Sequence, residues 1–325
     1  MIKNLLTLLG LYRYRKLDVA LTNLCNSRCK TCDIWKIYKR EPLGLKKELG
    51  VKDYRLFFRK HPWIDQITFS GGEPFIKEDF LDIVFAALEE TGSLSYINLV
   101  TNGVDKERVM DNVKKILAHP RLKKLHVAVS LNGKRETHNK ISGIKNGYNS
   151  ARELFRELKS LGDRRLSFHY SYTISNYNRG KMRKFLEETG ISANDIVICF
   201  AQKSERYNHK GKEGDFFLDK EEIKKEVRIF LDNYKARRAE DVIQLIFLKL
   251  FLKDEAIPCV AGENTFHIDP YGKINQCSLK SIVVGDVRKG LKIRNPPQNC
   301  SCATPCESYF GILRMNPLCL LRALI

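Results

Sequence analysis

Short apolar runs alternate with longer amphipathic stretches between residues 17 and 200. The apolar runs are rich in branched and aromatic residues and predict six buried strands, at Leu17–Leu21, Ile64–Phe69, Tyr96–Thr101, Lys124–Leu131, Leu166–Ile174 and Ile196–Phe200. The stretches between them carry apolar residues at helical spacing and predict helices at Lys46–Lys60, Glu78–Thr91, Lys106–Ala118, Ser150–Leu161 and Arg179–Glu188. Strands that alternate with helices are typical of an α/β fold with a parallel sheet and right-handed crossovers.

The pattern changes after the sixth strand. Gln202–Gly214 is polar and basic and predicts a loop, and Lys220–Tyr234 predicts an amphipathic helix. Val242–Leu252 is almost wholly apolar, yet it is too short to span a bilayer, so we expect it to be buried. Thr265–Ile268 and Ile274–Gln276, joined by a glycine-containing turn, predict a β-hairpin.

Length and composition allow one large domain, or one domain with a small appendage. Of the 325 residues, 43% are hydrophobic, and the sequence has no run of 18 or more apolar residues, so it predicts no membrane-spanning helix. Leu5–Leu11 is apolar but lacks a small-residue cleavage site, so a secretory signal is not expected. The formal net charge of +19 fits binding to nucleic acid, anionic lipid or an acidic substrate, and it equally fits a solvated basic surface.

Three cysteines follow the first predicted strand within eight residues. Cys25, Cys29 and Cys32 have the spacing CxxxCxxC, and thiolates are the usual ligands of iron–sulfur clusters. A cubic [4Fe–4S] cluster has four irons, so three ligands leave one iron open, as in catalytic metal sites. Cys29 and Cys32 by themselves also fit half of a zinc site or a redox pair. The loop lies at the carboxyl end of a strand, where active sites of parallel β/α folds collect.

The second predicted strand leads into Gly71, Gly72 and Glu73, followed by Pro74. Glycines allow the backbone to approach a ligand closely, and carbonyl and carboxylate oxygens suit a cationic ammonium group. CxxxCxxC after the first strand and GGEP after the second together resemble the radical S-adenosylmethionine (SAM) enzymes. The resemblance implies an α/β fold with a partial (β/α)6 TIM-like barrel, and a [4Fe–4S] cluster whose free iron is chelated by SAM. It also implies that Gly71, Gly72 and Glu73 bind the SAM amino group.

The ends of later strands carry further candidates for SAM contacts. The resemblance implies that a polar group after the fourth strand contacts the SAM ribose or carboxylate, and Ser130 and Asn132 stand there in a sequence similar to the SxDG of relatives. Asn102, after the third strand, is a further candidate. All three equally fit ordinary turn chemistry, since Asn-Gly is a favoured turn pair. Thr31 replaces the aromatic residue that many relatives carry before the third cysteine, which weakens any expectation of adenine stacking there.

Alternation along the fifth strand separates its side chains into two sets. His169 and Ser171 point one way, and Tyr170 and Tyr172 point the other. One of these sets is a candidate for lining the barrel mouth, while a core or surface role is the more ordinary alternative.

A second group of six cysteines lies within 61 residues near the C-terminus: Cys259, Cys277, Cys300, Cys302, Cys306 and Cys319. Without a secretory signal this density favours metal ligation, with structural zinc as the simpler alternative. The spacing CX12GX4C resembles the opening of the SPASM or twitch extension of radical SAM enzymes, and the later spacing departs from the full pattern. The resemblance implies a small C-terminal cysteine-rich SPASM/twitch-like extension with one auxiliary [4Fe–4S] cluster. Its expected ligands are Cys259, Cys277, Cys302 and Cys306, with Cys300 as the rival.

One departure limits the interpretation of this region. Ser278 stands directly after Cys277, where sulfatase maturases of this kind carry an acidic residue, so that assignment is not carried over. Cys199, on the sixth strand, is expected to be a structural thiol.

These observations predict four segments: an N-terminal apolar and basic segment at residues 1–16, the radical SAM core barrel at 17–215, a helical connector at 216–257 and the auxiliary domain at 258–325. The resemblance implies an enzyme that cleaves SAM reductively to a 5′-deoxyadenosyl radical, which takes hydrogen from a peptide or a small polar metabolite. The alternatives are an RNA-modifying radical SAM enzyme and a non-catalytic iron–sulfur or zinc protein.

Expected partners are SAM, an electron donor such as flavodoxin or ferredoxin, and a substrate that the sequence does not identify. The expected location is the cytoplasm. Leu5–Leu11 and the tail Pro317–Ile325 also allow peripheral contact with the inner face of a membrane, and packing of both segments onto the core is the alternative.

Overall fold

The computed structural model describes residues 15–202, 204–205, 217–291, 305–313 and 315. Six strands form the first part of the chain: β1 Lys16–Thr22, β2 Gln66–Gly71, β3 Tyr96–Thr101, β4 Leu125–Ser130, β5 Leu166–Ile174 and β6 Ile196–Phe200. The helices among them are α1 Ile37–Arg40, α2 Val51–Lys60, α3 Phe80–Glu90, α4 Lys106–Leu117, α5 Arg135–Ser142, α6 Gly147–Ser160 and α7 Met182–Thr189. The later elements are α8 Lys220–Leu231, α9 Ala239–Leu252, β7 Thr265–Ile268, β8 Lys273–Asn275, β9 Val283–Asp286, β10 Gly290–Leu291 and α10 Pro305–Ile312.

The strands of the described residues form one sheet of ten, in the order β10-β9-β8-β7-β1-β2-β3-β4-β5-β6. Strands β1 to β6 are parallel to their neighbours, as the alternation of strands and helices predicts. β7 joins the free side of β1 in parallel, and β8 to β10 continue antiparallel. β6 and β10 are therefore the two edges, and within the described residues hydrogen bonds do not close the sheet into a complete barrel.

The two faces of the sheet have different chemistry. Leu125, Val127 and Val129 of β4 are fully buried and belong to the core, which packs under the helices. Ser130, the last residue of β4, lies on the opposite face by strand alternation. The carboxyl ends of β1 to β4 meet at one edge, so side chains that follow these strands come together there.

The two predicted sets on β5 do lie on opposite faces. The ring of Tyr170 stacks on Phe155 of α6 with 3.9 Å between centroids, and Tyr172 packs 5.0 Å from Phe185 of α7. His169 contacts His126 of β4 instead, on the face away from the helices. The tyrosines therefore belong to the core, and the face that carries His169 continues the face that carries Ser130.

One local prediction was wrong, and one helix was not predicted. The helix predicted over Lys46–Lys60 begins only at Val51, because Pro42–Lys47 forms a 3-10 helix and the backbone is extended at Gly50. Helix α5, Arg135–Ser142, was not predicted, because only three of its residues, His138, Ile141 and Ser142, are buried and its apolar pattern is weak.

The apolar segment Val242–Leu252 lies within α9, and its residues are buried or partly buried. Gln244 bonds to β6, accepting from the Ile198 amide at 3.0 Å and donating to the Ile196 carbonyl at 2.9 Å. Phe247 is fully buried and packs 5.5 Å from the ring of Tyr309 in α10. Across the described ranges, none of the helices has both the length and the apolar character needed to cross a bilayer.

Candidate active site

The cysteine loop follows β1 and is held at both ends of the motif. Thr22 ends the strand, and its hydroxyl accepts from the Leu24 amide at 2.9 Å, which starts the turn. Further along, the Arg28 and Lys30 amides donate to carbonyls at the end of α5, each at 2.8 Å. These bonds fix the path of the loop on either side of Cys29.

All three cysteines line one cavity of about 110 Å³ at the carboxyl ends of β1 to β4. The other residues of its lining are Ser27, Ile34, Trp35, Gly71, Gly72, Val100, Thr101, Asn102 and Ser130. The loop predicted from the first strand, the glycines predicted from the second, Asn102 from the third and Ser130 from the fourth therefore meet at one place.

The two glycines allow the loop after β2 to touch the cysteine loop backbone to backbone. The Gly72 amide donates to the Thr22 carbonyl at 2.7 Å, and the Glu73 amide donates to the Leu24 carbonyl at 2.8 Å. Gly71 has φ +128°, and a Cβ there would lie 2.4 Å from the Thr22 oxygen; at Gly72 it would lie 2.1 Å from the Leu24 oxygen. Only glycine fits at either position, so these residues position the cysteine loop as well as line the cavity.

Glu73 lies beneath the cavity rather than in its lining. Its carboxyl group is 2% exposed and accepts from the Thr101 hydroxyl at 2.9 Å and the Asn102 amide at 2.8 Å. Burial raises the pKa of Glu73 to about 7, against the lowering effect of these two hydrogen bonds. The backbone of Phe75 adds a third hydrogen bond to this carboxyl group, and it also lowers the pKa.

Asn102 ties the end of β3 to the cysteine loop. Its side-chain amide donates to the Asn26 side chain at 2.7 Å, and its oxygen accepts from the Val104 amide at 2.9 Å. Cys25 lies beside it, with 3.9 Å between Sγ and the Asn102 nitrogen.

Asn132 has a different environment from Ser130. It is outside the cavity lining, and its side-chain oxygen accepts from the Thr173 amide at 2.8 Å. Its backbone carbonyl accepts from Asn178 at 3.1 Å, and its amide donates to His138 at 3.1 Å. The structure therefore brings Ser130 to the cavity and uses Asn132 to connect the ends of β4 and β5.

Five lining residues had no place among the sequence-based candidates: Ser27, Ile34, Trp35, Val100 and Thr101. Trp35 is the largest of them, and its indole nitrogen donates to the Cys29 carbonyl at 3.4 Å. Thr101 holds Glu73, as described, and Ser27 is buried. A signal for Thr101 existed, since it ends a predicted strand, but strand alternation alone did not show that its hydroxyl meets a carboxyl group.

The thiols of the loop are protonated in the metal-free protein. Burial raises the pKa of Cys25 to about 11 and that of Cys32 to about 12, and it raises the pKa of Cys29 still further. Thiolates bind metals, so loading of this site releases protons and is favoured by rising pH. Three soft sulfur donors around one cavity fit an iron–sulfur cluster with an open iron. Within the described ranges, no three His, Cys, Asp or Glu side chains are grouped closely enough to hold one single metal ion.

The C-terminal cysteines are only partly within the described residues. Cys259 precedes β7 and Cys277 follows β8, and their segments are joined where the Gln276 side chain donates to the Ala261 carbonyl at 3.2 Å. Cys300, Cys302 and Cys319 lie outside the described residues, as does the side chain of Cys306. Cys199 lies on β6 with its sulfur 3.7 Å from the Ser171 hydroxyl, away from the cavity.

Comparisons with known proteins agree with this geometry. The profile of the Radical SAM superfamily matches residues 19–188, more than half of the chain. The sporulation killing factor maturation protein SkfB of Bacillus subtilis (strain 168) is 23% identical over 301 residues, which are 87% of this chain and 67% of SkfB.

Two solved structures share the fold. The structure of anSMEcpe with bound AdoMet has a TM-score of 0.58 and 16% identity, covering 85% of this chain and 79% of that one. Streptococcus suis SuiB has a TM-score of 0.56 and 14% identity, covering 82% of this chain and 60% of SuiB. With the family match, these findings show that the chain belongs to the Radical SAM superfamily and is an enzyme whose cofactors are a [4Fe–4S] cluster and SAM.

Proposed function

We propose that this enzyme modifies a peptide by radical SAM chemistry. The observation that carries the proposal is the single cavity in which three cysteines, two glycines and the polar ends of β3 and β4 meet. The substrate class is supported by the relatives: SkfB is named a maturation protein, SuiB is solved with its precursor peptide SuiA, and anSMEcpe is solved with AdoMet and the peptide Cp18Cys.

Each residue of the cavity has a proposed role. Cys25, Cys29 and Cys32 hold the [4Fe–4S] cluster. A bound cluster would supply the electron for reductive cleavage of SAM to methionine and a 5′-deoxyadenosyl radical, and that radical would take hydrogen from the substrate. Gly71 and Gly72 present backbone carbonyls to the SAM amino group.

The deeper polar groups orient that binding. Glu73 supplies negative charge from beneath, while Asn102 and Ser130 contribute polar contacts from β3 and β4. We assign Asn132 to holding the strand ends instead, since its side-chain oxygen and its backbone are bonded to β5 and Asn178.

Trp35 is the proposed aromatic partner of the SAM adenine. Thr31, at the position where relatives carry an aromatic residue, does not line the cavity, whereas Trp35 does. Lys39 lies over the indole at 4.8 Å and Lys36 at 5.1 Å, which steadies the ring by cation–π attraction. An aromatic face of this kind binds a nucleobase by stacking.

The polar face of the sheet is the proposed floor of the substrate site. This face carries Ser171 beside Ser130, and His126, Ser167 and His169 below them; His126 is hydrogen-bonded to Ser167 at 2.7 Å and to His169. Burial lowers the pKa of His126 to about 4, so the pair is neutral at pH 7 and offers hydrogen bonds without charge. Such a surface suits the amide groups of a peptide.

The C-terminal extension is proposed to hold one auxiliary [4Fe–4S] cluster in a SPASM/twitch-like domain at residues 258–325. Cys259, Cys277, Cys302 and Cys306 are the proposed ligands, with Cys300 as the alternative. An external donor such as flavodoxin or ferredoxin would supply electrons, and oxygen-sensitive clusters favour a reducing compartment such as the cytoplasm.

An anaerobic product assay tests the proposal. The enzyme is reconstituted with iron and sulfide, reduced with dithionite and given SAM, with and without short peptides, and 5′-deoxyadenosine is measured. We expect product from the wild type and from Cys199→Ala, whose thiol lies outside the cavity, and none from Cys32→Ala. Wild-type enzyme with a bound cluster and no product under any of these conditions would contradict the proposal.

A further inference from the structure

One buried carboxyl group lies between the cysteine loop and the C-terminal hairpin. The side chain of Glu48 is 4% exposed. It accepts from the Asn23 amide at 3.1 Å and from the Tyr38 hydroxyl, and its other oxygen is paired with the Lys77 ammonium at 3.1 Å. Asn23 is two residues before Cys25, so this carboxyl group holds the start of the cysteine loop.

The tip of the β7–β8 hairpin completes the same network. The Asn23 side-chain amide donates to the Tyr271 hydroxyl at 3.2 Å, across 248 positions of sequence. Burial raises the pKa of Tyr38 well above its usual range, and the neighbouring Glu48 and Tyr271 raise it further. The Tyr38 phenol therefore remains a neutral hydrogen-bonding group beside Glu48.

The tip is packed closely enough to hold its place. The Leu49 amide donates to the Pro270 carbonyl at 2.8 Å. Gly44 leaves room for both rings, since a Cβ there would lie 3.0 Å from the Tyr271 hydroxyl and 3.0 Å from the Tyr38 ring. The salt bridge of Arg288 with Asp53, at 3.0 Å, adds a contact between the extension and α2.

We propose that Tyr271 is a positioning residue for the cysteine loop. The hairpin tip and Glu48 both hold Asn23 by hydrogen bonds, an arrangement that we call the brace. Through it, the extension holds the loop that carries Cys25. This proposal rests on the proposed function only for the identity of the group that the loop binds, because the brace is present in the protein without its cluster. It makes the C-terminal extension a support for the SAM-cleaving site, whatever the extension itself ligates.

Hydrogen exchange of the metal-free protein tests the brace directly. We compare Tyr271→Phe with Tyr234→Phe, a matched control that removes another buried hydroxyl, one that donates to the Asp241 carbonyl at 3.1 Å. Loss of one hydrogen bond should speed amide exchange in residues 23–32 by roughly five- to tenfold in Tyr271→Phe. The control should leave this segment unchanged.

Equal exchange of residues 23–32 in the two variants would overturn the proposal. If Tyr271→Phe loosens the whole sheet, Asn23→Ala is used instead, because it breaks the same contact and leaves the hairpin intact. In Asn23→Ala, faster exchange confined to the cysteine loop supports the brace, and unchanged exchange overturns it. In reconstituted enzyme we expect a matching loss of SAM affinity in Tyr271→Phe and none in the control.

The brace and the proposed function fail in different experiments. If the wild type forms 5′-deoxyadenosine normally but Tyr271→Phe leaves amide exchange in residues 23–32 unchanged, only the proposed role of Tyr271 is contradicted. If Tyr271→Phe speeds amide exchange in residues 23–32, but the wild type binds a cluster and makes no 5′-deoxyadenosine, only the proposed function is contradicted.

Discussion

The two cysteine regions of this chain use the same side chain in different ways. In the first region, Cys25, Cys29 and Cys32 lie in one loop, and backbone bonds to β2 and α5 fix that loop. In the second region, Cys259 and Cys277 flank a hairpin, and the other candidate ligands come from later parts of the sequence. The first site is specified by local spacing, whereas the second requires distant segments to be assembled by the fold.

The surroundings of the two regions differ as well. The first region has a buried carboxyl group, Glu73, beneath it, and two glycines that no other residue can replace without a clash. The second region contributes Tyr271 to the brace of the first. We therefore expect the chemistry to depend on the first region and the second region to act on it indirectly.

Replacing one cysteine in each region should give the largest difference in activity between the two regions. Cys29→Ala should lower 5′-deoxyadenosine formation by on the order of a thousandfold or more, while Cys277→Ala should keep it within about tenfold. Iron analysis should give about eight irons for the wild type and about four for each variant. Similar loss of product in both variants would erase the distinction, and about twelve irons in the wild type would mean that our auxiliary ligand set is wrong.

The buried carboxyl group should give the first region a pH dependence. The folded-state pKa of Glu73 is about 7, above the 4.5 that is usual for a glutamate, so its contribution to stability is full below pH 4.5 and is lost as pH rises through 7. Relative to Glu73→Gln, the free energy of unfolding of the metal-free wild type should fall by up to about 3 kcal/mol over this range.

Urea unfolding of wild type and variant at a series of pH values measures this difference. Glu78→Gln, which changes an exposed glutamate, serves as the control and should show little change. A wild-type curve parallel to that of Glu73→Gln would contradict the assigned environment.

The close approach of the two loops should make Gly72 far more sensitive than an open glycine. In Gly72→Ala, the Cβ would meet the Leu24 oxygen at 2.1 Å, so we expect about 2 kcal/mol of destabilisation. Gly92→Ala adds a Cβ with nothing within 4 Å and should be neutral or slightly stabilising. Chemical unfolding of both variants checks this, and equal stability would disprove the clash.

The smallest expected effect concerns Trp35, at the rim of the first region. Trp35→Leu should weaken SAM binding by roughly tenfold, which corresponds to the free energy of stacking one base on an aromatic side chain. Trp63→Leu removes the other tryptophan, which packs against His61 and should not affect binding. Equilibrium dialysis with labelled SAM compares the two, and unchanged affinity in Trp35→Leu would leave the adenine without its proposed partner.

The sequence was informative where the structure is determined by local pattern. Apolar runs identified β1 to β6. The positions of Cys25, Cys29, Cys32, Gly71 and Gly72 at the ends of predicted strands placed the site at one edge of the sheet, where the structure has it. It also separated the inward and outward side chains of β5. These features depend on side-chain alternation and on parallel strands that end at one edge.

Features that depend on distant contacts were not predictable in the same way. Helix α5 was missed because its buried residues include His138 and Ser142. The pairing of β7 with β1, and the contact of Tyr271 with Asn23, join segments more than 200 residues apart. Trp35 was not singled out because its place in the cavity follows from the 3-10 turn after the cysteines and not from any strand.

The most direct test of the central claim is whether SAM binds the cluster held by the first region. In the double variant Cys259→Ala and Cys277→Ala, the auxiliary cluster loses two of its four proposed ligands, so an iron content of about four leaves only the cluster of the first region. Electron–nuclear double resonance with SAM labelled with ¹⁵N in its amino group and ¹⁷O in its carboxylate reports binding to the open iron. We predict coupling to both labels in this double variant. A well-formed reduced cluster with no coupling to either label would contradict the account.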